Sequence, residues 1–113
     1  MTEEQTKHFF NNVMMALGHH GWKMDLRSGH DSYCWIKTKT IQIGSDYDGD
    51  IRQIILHEIA HIDTARFCNQ KHNFSFWNRM EYLCQKFLKQ PIDEHQVSHK
   101  RWASQGFYSV VYL

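Results

Sequence analysis

The run His57-Glu58-Ile59-Ala60-His61 combines residue types and a spacing that fit metal-assisted hydrolysis. Residues i and i+4 of an α-helix share a face, so both imidazoles can point at one metal ion. Glu58 lies about 100° around such a helix from His57, close enough to reach a water beside the metal without ligating the metal itself. Two neutral ring nitrogens, an adjacent carboxylate and an open coordination position are what zinc-assisted peptide hydrolysis requires. Histidine is abundant here, nine residues of 113, so the pattern has to be supported by its surroundings.

The surroundings predict a helix. Asp48-Gly49-Asp50 supplies a turn and an N-cap, with acidic groups at the positive end of the helix dipole. From Ile51 to Phe67 no proline or glycine intervenes, and Ile51, Ile54, Ile55, Ile59 and Ile62 recur at spacings of three and four, an apolar stripe facing the core. Upstream, Thr2 caps a first helix with Gln5 as its capping-box partner. Phe9, Phe10, Val13, Met14 and Leu17 form the buried stripe of that helix, and Gly18 stops it. The period then changes to two: Trp22, Met24 and Leu26 alternate with Lys23, Asp25 and Arg27 as in a half-buried strand. After turn residues Ser28-Gly29-His30-Asp31, the segments Tyr33 to Ile36 and Thr40 to Ile43 read as one bent strand or two short ones, ending at Gly44. Ile41 to Ile43 is expected at a sheet edge, where an extended peptide adds as a further strand.

Downstream, a third helix starts near Asn73 or Phe74. Phe76, Trp77, Met80, Leu83, Cys84, Phe87 and Leu88 make the cleanest helical stripe in the chain, and Pro91 ends it. Asp93 is expected to cap a short fourth helix to Ser104, stopped by Gly106, with a last strand over Phe107 to Leu113. This order predicts an α+β domain, a small twisted β-sheet packed on the helix of the histidine pair and on supporting helices, spanning 1–113 as a single domain.

Composition narrows the function. A net charge of +1 and a pI near 7.8 give no basic excess of the kind that marks a nucleic-acid binder. No stretch approaches the roughly 20 apolar residues that cross a bilayer. Met1-Thr2-Glu3-Glu4-Gln5 is acidic and polar, the opposite of a signal peptide. Three cysteines, with no C-x-x-C pair, speak against a disulfide framework or a zinc ribbon, and Cys84 on its apolar stripe reads as a buried thiol. A reducing, cytoplasmic setting is expected.

A catalytic zinc normally takes three protein ligands and a water. His72 and Glu81 are the two downstream candidates. From His61 a helix carries the chain roughly 9 Å by Phe67, and the five steps from Phe67 to His72 span up to about 17 Å, so a turn at Asn69-Gln70 can bring His72 back. Glu81 stays open as the alternative. His95 and His99 are also four apart, but no acid stands between them in the motif position, and a solvated helix face is the better reading.

With His72-Asn73-Phe74-Ser75-Phe76-Trp77 following it, the histidine motif resembles the SprT-like, WLM and YgjP-like group of small zincin metallopeptidases, whose members pair H-E-x-x-H with a later histidine, a short spacer and Phe-Trp. Thr40-Ile41-Gln42-Ile43, a turn and the motif helix also look like their arrangement. The resemblance covers about Thr40 to Leu88. It implies a minimal zincin fold with an edge strand beside the active-site helix, Zn2+ as cofactor, His57, His61 and His72 as its ligands, and Glu58 as general base acting on a peptide or protein substrate. Glu81-Tyr82-Leu83-Cys84-Gln85-Lys86-Phe87-Leu88 is faintly similar to the second helix of ImmA/IrrE-type peptidases, which use a glutamate there. The rival class is a non-catalytic zinc-binding regulatory or interaction module on the same fold, which would have no use for an acid at position 58.

Overall fold

The computed structural model describes residues 1–68, 72–93 and 96. Its first helix, α1 (Glu3–Leu17), starts at Thr2 as the local sequence dictates. The Thr2 hydroxyl accepts the Gln5 N–H at 3.0 Å, and the Gln5 side chain accepts the Thr2 N–H at 2.9 Å. Gly18 closes the helix in the left-handed region (φ 75°), where its N–H reaches the carbonyls of Met14 and Met15. Phe10, Val13 and Met14 are buried, while Phe9 and Leu17 are half-buried at the margin of the stripe.

Three strands follow: β1 (Lys23–Arg27), β2 (Tyr33–Trp35) and β3 (Thr40–Gly44), so the second strand region is two short strands. Their order in the sheet is β1-β3-β2. β1 pairs with β3 in parallel, Met24 opposite Ile41, and β2 pairs with β3 antiparallel, Cys34 opposite Ile41. The expected edge position of Ile41 to Ile43 is therefore corrected: β3 is the central strand and its backbone is engaged on both sides. Ile41 and Ile43 are fully buried, as suits a central strand. Lys37 and Lys39 sit in the turn between β2 and β3, with Lys39 taking the left-handed conformation (φ 50°) that reverses the chain. At the end of β3, a Cβ on Gly44 would lie 2.6 Å from the Gly29 carbonyl oxygen, so the turn 29–31 can close over this position because no side chain is there.

The second helix, α2 (Ile51–Cys68), begins after Asp50. Asp50 Oδ1 accepts the Arg52 N–H at 3.0 Å, and the Arg52 guanidinium Nε bonds the same carboxylate at 3.0 Å. These bonds, together with the opposed charge, hold the Asp50 carboxyl below its ordinary value. A carboxyl with a depressed pKa stabilises the folded chain above its unfolded pKa and loses that contribution as pH falls through the folded one. Asp50→Ala is accordingly expected to cost about 0.5–2 kcal/mol at neutral pH. Thermal melts of the two proteins should converge as the solution is acidified below about pH 4.

Burial on α2 departs from the expected stripe. Residues 55–61 are buried without a break, whereas Ile51, Ile54 and Ile62 are half-buried. A helix covered on all sides needs no polar face, and the polar groups it does enclose here are Gln53, His57, Glu58, His61 and Thr64. The third helix, α3 (Phe74–Leu88), is capped by Asn73, whose side chain accepts the Phe76 N–H at 3.0 Å. It buries Phe76, Trp77, Met80, Leu83, Cys84 and Leu88 as its periodicity predicts. It ends at Lys89, in the left-handed region, two residues before Pro91.

The chain has an α+β fold of three helices and a small three-stranded sheet among the described residues. It forms two compact units, Met1–Glu58 and Ile59–Leu113, and α2 runs through the boundary. Among the described residues no helix is long and apolar enough to cross a membrane. Asp93 does accept the Gln96 N–H, at 3.2 Å. The rest of the expected fourth helix, the strand Phe107 to Leu113, and His95 and His99 lie outside the described residues.

Candidate active site

Helix α2 carries His57 and His61 one turn apart, both buried. His72 stands two residues before α3, at the start of the segment that Asn73 ties into the helix cap. Its Nε2 lies 3.1 Å from Nε2 of His61. Ligand-capable nitrogens of His57, His61 and His72 all lie within 4.8 Å of one another, the one such histidine, cysteine or carboxylate group of three among the described residues. Glu81 is exposed on α3 and stands outside this group. The chain thus folds back to bring His72 to the histidine pair.

Phe76 explains the local geometry. Its ring centroid is 4.4 Å from that of His61 and 4.9 Å from that of His72, so one aromatic side chain touches both imidazoles. Trp77 flanks His72 at 5.9 Å and meets Phe76 edge-on at 4.9 Å. The Phe-Trp pair that follows His72 in the sequence therefore packs against the imidazoles.

Burial pushes the His61 imidazole down to about 3, helped by repulsion from the His72 ring. The ring is neutral at physiological pH and its nitrogen lone pair is available to a metal. The donor chemistry, three imidazoles, suits a divalent ion such as zinc, and one pair already has the spacing of tetrahedral ligands. Nitrogens at about 2.0–2.1 Å around a tetrahedral centre are about 3.3 Å apart, close to the 3.1 Å between His61 and His72.

Glu58 is 4 % exposed, and burial pushes its carboxyl up to about 8. A divalent cation held by flanking histidines acts in the opposite direction, favouring the carboxylate. Cys34 on β2 is buried too. Its thiol is pushed up to about 12, chiefly by burial and further by the charge of Glu58. The Cys34 thiol is inert by this measure, but it shows that β2 lies within electrostatic reach of Glu58. The period of two in Tyr33-Cys34-Trp35 carried that orientation, since Tyr33 and Trp35 are exposed on the opposite face. Cys84 is buried and in no disulfide, as expected. Tyr108 and Tyr112 lie outside the described residues, and His19, His20 and His30 do not join the histidine group.

These elements form an α+β fold that is shared with a solved metallopeptidase zymogen. Among solved structures, the chain is similar to the metallopeptidase zymogen of Pyrococcus abyssi abylysin, at a TM-score of 0.50 and 17% sequence identity, over 78% of this chain and 99% of that one. No protein-family model matches the chain, and no curated protein sequence matches it.

Proposed function

We propose that this chain is a zinc-dependent metallopeptidase that hydrolyses peptide bonds in a peptide or protein substrate, of the SprT-like, WLM and YgjP-like kind. The observation that carries the reading is the return of His72 to within 3.1 Å of His61, which gathers three imidazoles around one point. His57, His61 and His72 would hold the ion. When bound, zinc supplies a Lewis acid that polarises a peptide carbonyl and makes water a better nucleophile at neutral pH.

The protein's own part is proton traffic and positioning. Glu58 follows the first ligand directly on a buried helix, so its carboxylate is aimed by the backbone and screened from bulk water. It takes the proton of the attacking water and returns it to the leaving nitrogen. Extended peptides pair with free strand edges. With β3 engaged on both sides, β1 and β2 are the outer strands among the described residues, and β2 is the one whose Cys34 feels the Glu58 charge. The exposed rings of Tyr33 and Trp35, 5.6 Å apart, flank the edge of β2 on the sheet's other face.

The test is metal analysis of protein purified without chelators, followed by a mixed peptide library. About one zinc per chain is expected, with cleavage abolished by a chelator and restored by zinc. A fully loaded protein that cleaves no peptide would instead favour the non-catalytic zinc-binding module. A chain retaining no metal would remove both readings.

A further inference from the structure

We infer that Asp63 and Arg79 clamp α3 to α2 and thereby hold His72 against His61, which makes them positioning residues of the metal centre. The inference rests on the ligand role proposed for His72. Arg79 Nε donates to Asp63 Oδ2 at 2.7 Å, joining the two helices two residues after His61 and one turn beyond Phe76. The Asp63 side chain is only 9 % exposed, and that of Arg79 is 33 % exposed. An exposed ion pair contributes little, but a charge-assisted bond to a largely enclosed carboxylate is stronger and more costly to break.

Arg79 is itself oriented. Its guanidinium lies over the Tyr82 ring, 4.6 Å from the centroid, and Lys86 donates to the Tyr82 hydroxyl at 3.2 Å. Ring and hydroxyl bond together turn the planar fork towards Asp63.

Directional contact matters here because the contact Phe76 makes with His61 across these helices is aromatic. Phe76 packs on His61 and His72 by burial and dispersion, which are non-directional and tolerate sliding. A slip of α3 by one residue is about 1.5 Å along its axis. Metal–ligand distances tolerate about 0.2 Å. A charge-assisted bond spanning the helices fixes the register that the aromatic contact leaves loose.

Zinc affinity is the readout, measured by competition with a chromophoric chelator on the full chain. The variants are Asp63→Ala/Arg79→Ala, His72→Ala, and the three substitutions combined. We expect the double variant to bind zinc at least tenfold more weakly than the unmodified chain, with far-UV circular dichroism of the metal-free protein retained. In the His72→Ala background the same pair should change affinity by less than twofold, because the clamp acts through the missing ring. Equal losses in both backgrounds, or no loss when His72 is present, overturn the clamp. If His72→Ala alone leaves affinity intact, the ligand role of His72 fails, and the clamp with it. Should the double variant not fold, Arg79→Lys keeps the charge but not the planar fork. It is then expected to weaken zinc binding at least threefold with His72 present and not without it, and wild-type affinity in Arg79→Lys overturns the proposal.

Discussion

Glu58→Gln is expected to bind zinc as tightly as the unmodified chain and to lose peptide hydrolysis by about 10²–10⁴-fold, the contribution of a positioned acid–base group. The amide has nearly the shape of the acid, so the buried helix around it is kept, but it has no basic oxygen to take a proton from water. Because Glu58 occupies the position next to a ligand and not a ligand position, metal content should not change. Zinc stoichiometry and cleavage rate measured on the same preparation decide the matter. Loss of metal in proportion to loss of activity would make Glu58 a ligand, and undiminished activity would leave it no part in the reaction. The burial of Glu58 sharpens the expectation, since bulk water has poor access to replace the missing base.

The second large effect separates His72 from Glu81. His72→Ala should weaken zinc binding by more than the roughly 10–100-fold that follows loss of an outer-shell partner. Glu81→Ala should leave zinc binding within about twofold. The basis is geometric: His72 Nε2 is 3.1 Å from His61 Nε2, while Glu81 lies on an exposed part of α3. Charge gives a second measurement. Three neutral ligands leave the full dipositive charge of zinc to act on its surroundings, whereas a carboxylate in the third place would leave a single net charge and a less acidic water. A chelator-competition titration that ranks the variants in the reverse order would transfer the ligand role to Glu81 and favour the ImmA/IrrE-type reading.

Much of this was legible because local rules govern it. Thr2 and Gln5 specify a capping box within four residues, and α3 displays its buried face at regular helical spacing. The His57–His61 pair is legible for the same reason, as two residues one turn apart on one helix. What escaped was long-range. Alternation in Thr40-Ile41-Gln42-Ile43 identifies a strand and its inner face but carries nothing about its neighbours, so β3 was expected at an edge and stands in the centre. The stripe on α2 was misread because isoleucine spacing assumes one covered side, and this helix is covered on all of them along residues 55–61. The Asp63–Arg79 bond joins residues sixteen apart, and nothing in either helix's own periodicity marks them as partners.

The enclosure of α2 has one more consequence. Its middle turns place His57, Glu58 and His61 where most proteins place leucine or valine, so the chain's interior is incomplete as a hydrophobic solid. On the proposed reading, the cation is what makes that interior coherent, and its binding free energy adds directly to the free energy of the native state. Supply of the metal would then govern how much of the protein exists at all. In a cell starved of zinc, a larger share of chains would open and be degraded, and abundance would fall together with activity.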